Sequence, residues 1–134
     1  MPTFNLEIIA PQRVLYSGEV ESFWGPGTEG SFQLLAGHIP FLTVLRIGEI
    51  SFLENGERRY LASSGGFAEV LRTGVAVLVQ TAELADEIDV ERAAQARDRA
   101  SERLRRREPG TDIERAEAAL DRALNRLKVA ARMG

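Results

Sequence analysis

The sequence predicts a β + α chain: an N-terminal antiparallel β-sandwich over residues 1–85, followed by a C-terminal antiparallel two-helix hairpin over residues 86–134. Three observations carry this. Short apolar runs of period two crowd the first part with no helical pattern between them. Ten of the twelve glycines and every aromatic residue fall there too, whereas the rest of the chain is Ala, Arg and Glu. The charge changes sign at the same place, −7 over residues 1–89 and +4 over 90–134, within a net charge of −3. With 134 residues and 44% hydrophobic content, the chain can bury a core.

Phe4, Leu6, Ile8 and Ala10 alternate with polar residues, as in a half-buried strand. Runs at 14–16, 20–24, 31–35 and 41–45 continue the series. Segments 48–54 and 57–62 flank Asn55-Gly56, a pair that tolerates positive φ and so signals a two-residue hairpin. Segments 67–71 and 75–81 flank Arg72-Thr73-Gly74, a second hairpin. Eight or more closely spaced strands point to a sandwich or flattened barrel.

Gly25-Pro26-Gly27-Thr28-Glu29-Gly30 has the letters of the dinucleotide fingerprint. That motif needs its last glycine to open a helix, and the run that follows, Ser31-Phe32-Gln33-Leu34-Leu35, is strand-like. A bend between strands is expected instead. His38, in Ala36-Gly37-His38-Ile39-Pro40, is either a locally bonded turn residue or an interface contact presented by a loop.

Asp89 is placed to cap a helix running to about Arg107, before Glu108-Pro109-Gly110. Thr111 and Glu114 form the letters of a capping box, so a second helix is expected to run to about Arg132. Its seam, Ile113, Ala116, Leu120, Ala123, Leu127 and Ala130, faces Ala93, Ala100 and Leu104 of the first helix. Small seam residues bury little area, so the hairpin needs a further support or opens readily. Arg92, Arg99 and Arg103 each precede a seam position, as do Arg115, Arg122 and Arg126. In an antiparallel pair these flanks share one side, giving three rungs whose outer members lie roughly 16 Å apart at 1.5 Å rise per residue. Two readings stand: a solvated face tempered by adjacent acids, or a face that receives an anion or an acidic partner.

The composition excludes several classes. The chain has no cysteine and one histidine, which rules out disulfide scaffolds, thiol catalysis, multi-His metal sites and His-based triads. No metal site is expected. No apolar run approaches a membrane span, and the start lacks an export pattern, so a cytoplasmic protein is expected. The acidic first module argues against nucleic acid, and no tuned acid–base pair suggests an enzyme. Read alone, the residues leave open a stand-alone anion- or nucleotide-binding regulatory protein.

Gly37-His38-Ile39-Pro40, Ser64-Gly65-Gly66-Phe67-Ala68-Glu69-Val70, the Asn-Gly hairpin and Ile88-Asp89-Val90-Glu91-Arg92-Ala93 resemble the epsilon subunit of the F-type ATP synthase, bacterial or chloroplast type. The resemblance spans the chain; residues 31–36 depart from the family's G-E-L-G-I-L-P-like run. It implies a non-catalytic central-stalk subunit that couples the gamma subunit and the c-ring, with Glu29, Ser31 and His38 at that interface. It implies a helical hairpin that inhibits ATP hydrolysis in the alpha/beta catalytic head. It requires no cofactor, and ATP is the expected regulatory ligand. Glu83, Ile88, Asp89, Arg92, Ala93, Arg99, Arg122 and Arg126 match the family's ATP contacts, with Arg103 and Arg115 supporting the hairpin. The subunit would lie on the cytoplasmic face of the bacterial inner or plasma membrane, reaching it only through the complex.

Overall fold

Strand propensity and turn chemistry give ten strands in the computed structural model of the chain, which describes residues 2–133. Residues 1 and 134, the outer ends of the two expected modules, lie outside the described residues. The strands are β1 (Phe4–Ala10), β2 (Arg13–Val20), β3 (Ser22–Gly27), β4 (Gly30–Leu35), β5 (Phe41–Leu45), β6 (Gly48–Glu54), β7 (Glu57–Ser63), β8 (Gly66–Leu71), β9 (Gly74–Val79) and β10 (Ala82–Leu84). A 3₁₀ turn, Ala85–Glu87, leads to α1 (Val90–Arg106) and α2 (Ile113–Ala130), and another 3₁₀ turn follows at Ala131–Met133.

The strands pair in the order β10-β7-β6-β3-β5-β8-β9-β1-β2, with β4 on the other edge of β3. The sheet passes from one layer to the other where β3 meets β5 at Gly27 and Leu45. Thr28 N–H donates to Val44 O and Arg46 N–H to Pro26 O on either side of that bridge, at 3.0 and 2.9 Å. Pairing is antiparallel except between β1 and β9, which run parallel. Alternate side chains from both layers, including Leu6, Ile8, Phe23, Ile50, Phe52, Leu61 and Val77, fill the core with no exposure. The hydrophobic effect of that burial holds the sandwich.

Three local expectations change. The Gly25–Gly30 stretch is a strand and tight turn: Gly25, Pro26 and Gly27 lie in β3, paired with Phe32, Ser31 and Gly30, so only Thr28 and Glu29 turn. The run 20–24 is broken at Glu21, because Val20 ends β2 and Ser22 begins β3. The second helix is capped by Asp112, whose carboxylate accepts from Arg115 N–H at 3.0 Å, one residue beyond Thr111. Asp is as good an N-cap as Thr, and its carboxylate, three residues before the Arg115 N–H, takes the role. That helix ends at Ala130, the 3₁₀ turn taking the last residues. The Asn55-Gly56 turn forms as expected, with φ of 50° and 77°.

Gly66 shows why the Ser-Gly-Gly-Phe run is built from glycine. It pairs with Leu45 on one side and Val79 on the other, and a Cβ there would lie 1.9 Å from Leu78 O. Gly66→Ala is therefore expected to cost at least about 2 kcal/mol. Gly37→Ala, in open space although at φ +88°, should cost only about 1 kcal/mol. Chemical denaturation of both variants makes the comparison.

At the end of α1, Arg105 and Arg106 both reach the Glu102 carboxylate at 2.6 Å. Their hydrogen bonds hold that carboxyl at about 2, well below the usual 4.5. A depressed carboxyl contributes above its unfolded value and loses that contribution as pH falls. The last turn of α1 should fray between about pH 4.5 and pH 2, followed by the amide shifts of residues 103–107, and Glu102→Gln should remove the transition.

Candidate functional site

The hairpin rests on the sandwich through α2. Val129, fully buried, enters a pocket formed by Ala62, Ala85, Tyr60 and Ile88. One turn earlier, Asn125 Nδ2 donates to Gly48 O at 2.8 Å and to Ser63 O at 3.5 Å. Arg132 donates from Nε and Nη2 to Glu49 at 3.0 and 3.1 Å, with its guanidinium 5.1 Å from the centre of the Tyr60 ring. Helix α1 packs on α2 through Ala93, Ala100, Ala116 and Ala123, all buried. The alanine seam thus forms as the periodicity indicates. Val129 lies off that seam because α2 carries two contact lines, one toward α1 and one toward β6 and β7.

The expected nucleotide residues divide between this joint and the length of the hairpin. Glu83, in β10, is paired with Arg126 at 2.7 Å, and with Arg122 both border a narrow cleft against Ser64 and Thr81. Ile88 packs beside Val129. Asp89 caps α1 by accepting from Arg92 N–H at 3.0 Å, so that carboxylate is engaged by backbone. Ala93 is buried in the helix seam. Arg92 is exposed at the start of α1. Arg99 and Arg103 border a depression near the hairpin turn that also contains Asp98, Glu102 and Arg106, and Arg115 is exposed on the first turns of α2. No ion pair among the described residues includes Arg92, Arg99, Arg103, Arg115 or Arg122.

The expected interface residues all belong to the sandwich, and Ser31 among them lines a groove that α2 also borders. Glu29 is exposed in the Thr28-Glu29 turn. Ser31 is exposed near the start of β4, the strand expected from the run 31–35. His38 bridges two segments: Nδ1 lies 2.8 Å from Leu35 O and Nε2 2.7 Å from Leu71 O, with the ring edge-on to Phe4.

An apolar surface accompanies these residues. Val44, Phe67 and Leu78 pair across β5, β8 and β9 with 58%, 44% and 39% exposure, and Ile9 follows on β1. The sequence signal was the lack of alternation in Phe41-Leu42-Thr43-Val44-Leu45, apolar on both faces. Contiguous exposed apolar surface of this kind marks an interaction site. No helix among the described residues is long and apolar enough to cross a membrane. No group of three or more His, Asp or Glu among them is placed to hold a metal.

Comparison with known proteins follows the two modules. Residues 3–85 match the family described as ATP synthase, Delta/Epsilon chain, beta-sandwich domain, and residues 86–131 match ATP synthase, Delta/Epsilon chain, long alpha-helix domain. The chain is 44% identical over 102 residues to an ATP synthase epsilon chain of Nitratidesulfovibrio vulgaris, covering 76% of each. It is 48% identical over 114 residues to an ATP synthase epsilon chain of Moorella thermoacetica, covering 84% of each. In fold it is similar to a chain of the Euglena gracilis mitochondrial ATP synthase OSCP/F1/c-ring structure, with a TM-score of 0.81 at 23% identity. That likeness covers 98% of this chain and 82% of that one.

The Glu83–Arg126 pair is more than one-third exposed on both sides. Water and salt screen such a pair, so a double-mutant cycle with Glu83→Ala and Arg126→Ala should give a coupling below about 1 kcal/mol. Denaturant titration of the four proteins, read by helical circular dichroism, checks this.

Proposed function

The chain belongs to the epsilon-chain family of the F-type ATP synthase, a subunit of the central stalk, and from that premise we propose a division of labour between its modules. The sandwich docks on the gamma subunit and the c-ring and transmits torque without catalysing a reaction itself. The hairpin alternates between the state folded on the sandwich and an extended state along gamma. In the extended state its basic helices meet the alpha/beta catalytic head and block ATP hydrolysis. The subunit sits on the cytoplasmic face of the bacterial inner or plasma membrane, held there by the complex.

The observation that carries this reading is the attachment of the hairpin. Its principal contacts with the sandwich come from α2 and the 3₁₀ turn that follows it, through one valine, one asparagine and two ion pairs. A joint so small and polar supports a hairpin that can change partners. The excess of arginine on its helices supports an acidic or anionic surface in the other state. The exposed row Val44–Phe67–Leu78, with Glu29, Ser31 and His38, supports docking through the sandwich.

ATP bound to the folded hairpin would hold it in the non-inhibitory state. The support is a set of arginines, Arg92, Arg99 and Arg122, that enter no ion pair among the described residues, together with Arg126 and Glu83, which sit at the joint with Arg122. A ligand specific for one state, at 100 times its dissociation constant, stabilises it by about 2.7 kcal/mol. That decides a balance of a few kcal/mol.

Truncation after residue 88 in the assembled enzyme is expected to raise ATP hydrolysis and leave assembly intact. Equal hydrolysis with and without the hairpin would contradict inhibition. Isothermal titration with ATP should show binding that Arg92→Ala and Arg126→Ala both weaken. No heat at millimolar ATP would remove the nucleotide from the account.

A further inference from the structure

Helix α2 has two flanks. Arg122 and Arg126 face the Ser64, Thr81 and Glu83 side. On the other flank, Asp121 and Lys128 form one wall of a groove of about 760 Å³ whose opposite wall is the outer face of β3, β6 and β7. Trp24, Ser51 and Tyr60 are paired across those three strands and form the groove's floor. The groove exists only while the hairpin is folded on the sandwich, because each module supplies one wall.

Its charges do not cancel. Four cations line it, Arg46, Arg58, Lys128 and Arg132, against Glu49 and Asp121. Arg132 and Glu49 neutralise each other in a bidentate pair. Arg46 bonds a backbone carbonyl and Arg58 the Ser51 hydroxyl, both neutral acceptors. No ion pair among the described residues includes Arg46, Arg58, Lys128 or Asp121. Three cations thus share a concave, partly shielded space with one carboxylate. A cleft lined by one sign of charge concentrates counter-ions, and guanidinium groups bind phosphate through paired N–H donors. The volume lies in the range of small-molecule sites.

We propose that this groove is an anion site for a small phosphate-bearing molecule. The anion bridges Arg46 and Arg58 of the sandwich with Lys128 of α2, between hydroxyls of Ser31 and Ser51 and beside Trp24. Because both modules contact it, occupancy favours the folded-down hairpin. The site is separate from the arginines assigned to ATP above and does not depend on that assignment.

Trp24 is the chain's one tryptophan, so its fluorescence reports the groove alone. Pyrophosphate titrated into the full chain should change Trp24 emission saturably and raise the melting temperature. Lys128→Gln and Arg58→Gln, both at exposed positions, should each weaken the response about tenfold or more. Arg92→Gln with Arg99→Gln should leave it unchanged, which separates this site from the proposed ATP contacts. ADP as titrant distinguishes a nucleotide source of the phosphate from a free one: tighter binding than pyrophosphate identifies a nucleotide, equal or weaker binding a free phosphate, and either supports the site. Three results would overturn the proposal: no saturable change at millimolar pyrophosphate, a change indifferent to Lys128→Gln and Arg58→Gln, or a response to a glutamate-rich peptide without one to pyrophosphate.

Discussion

The seating of Val129 and Asn125 on the sandwich is the constraint on which the arrangement of this molecule depends. The sandwich is held by its own core of large aliphatic and aromatic side chains. The hairpin has no such core: its buried seam is four alanines, and each methyl removes little apolar surface from water. Val129 closes a separate cluster with Ala62 and Ala85. Asn125, beside it, satisfies carbonyls at the ends of β6 and β7. Without these contacts the two helices have only each other, too little for a pair of this length in water.

Electrostatics acts on top of that joint. The first module is acidic and the second basic, and their contacts are opposite-charge pairs: Glu83 with Arg126, Glu49 with Arg132, Arg13 with Glu87. Each is partly solvated, so none contributes much by itself. Together they orient the helix and make the closed state sensitive to ionic strength over a Debye length of about 8–10 Å. The same basic surface, once released, is suited to an acidic partner. Closed and open states therefore compete for Arg126 and Arg132, which is the physical basis for a balance that a bound anion can tip.

Much of the fold was legible because its determinants are local. Asn55-Gly56 names its own turn, Asp89 its own cap, and the 3-4 spacing of alanines its own seam. The parallel contact of β1 with β9 was not, since it joins residues some seventy positions apart whose pairing depends on the whole sandwich. Pro26 reads as a turn former but sits in β3, where its carbonyl accepts from Arg46 and its missing N–H costs nothing. The site was partly legible. Helical spacing put Arg122 and Arg126 on one flank, and the structure brings both to Glu83. Val129 was missed because the periodic line toward α1 passes through Ala130, one residue away. The groove beside Trp24 has no sequence signature, since its walls come from strands and a helix that meet only in the folded chain.

Native-state hydrogen exchange on the full chain tests most directly whether α2 is a weakly seated element on an independently stable sandwich. The account predicts that amides of α1 and α2 share one opening free energy well below that of the β-core amides, and that Val129→Ala lowers only the hairpin value. A single common free energy for hairpin and sandwich, lowered everywhere by Val129→Ala, would contradict it.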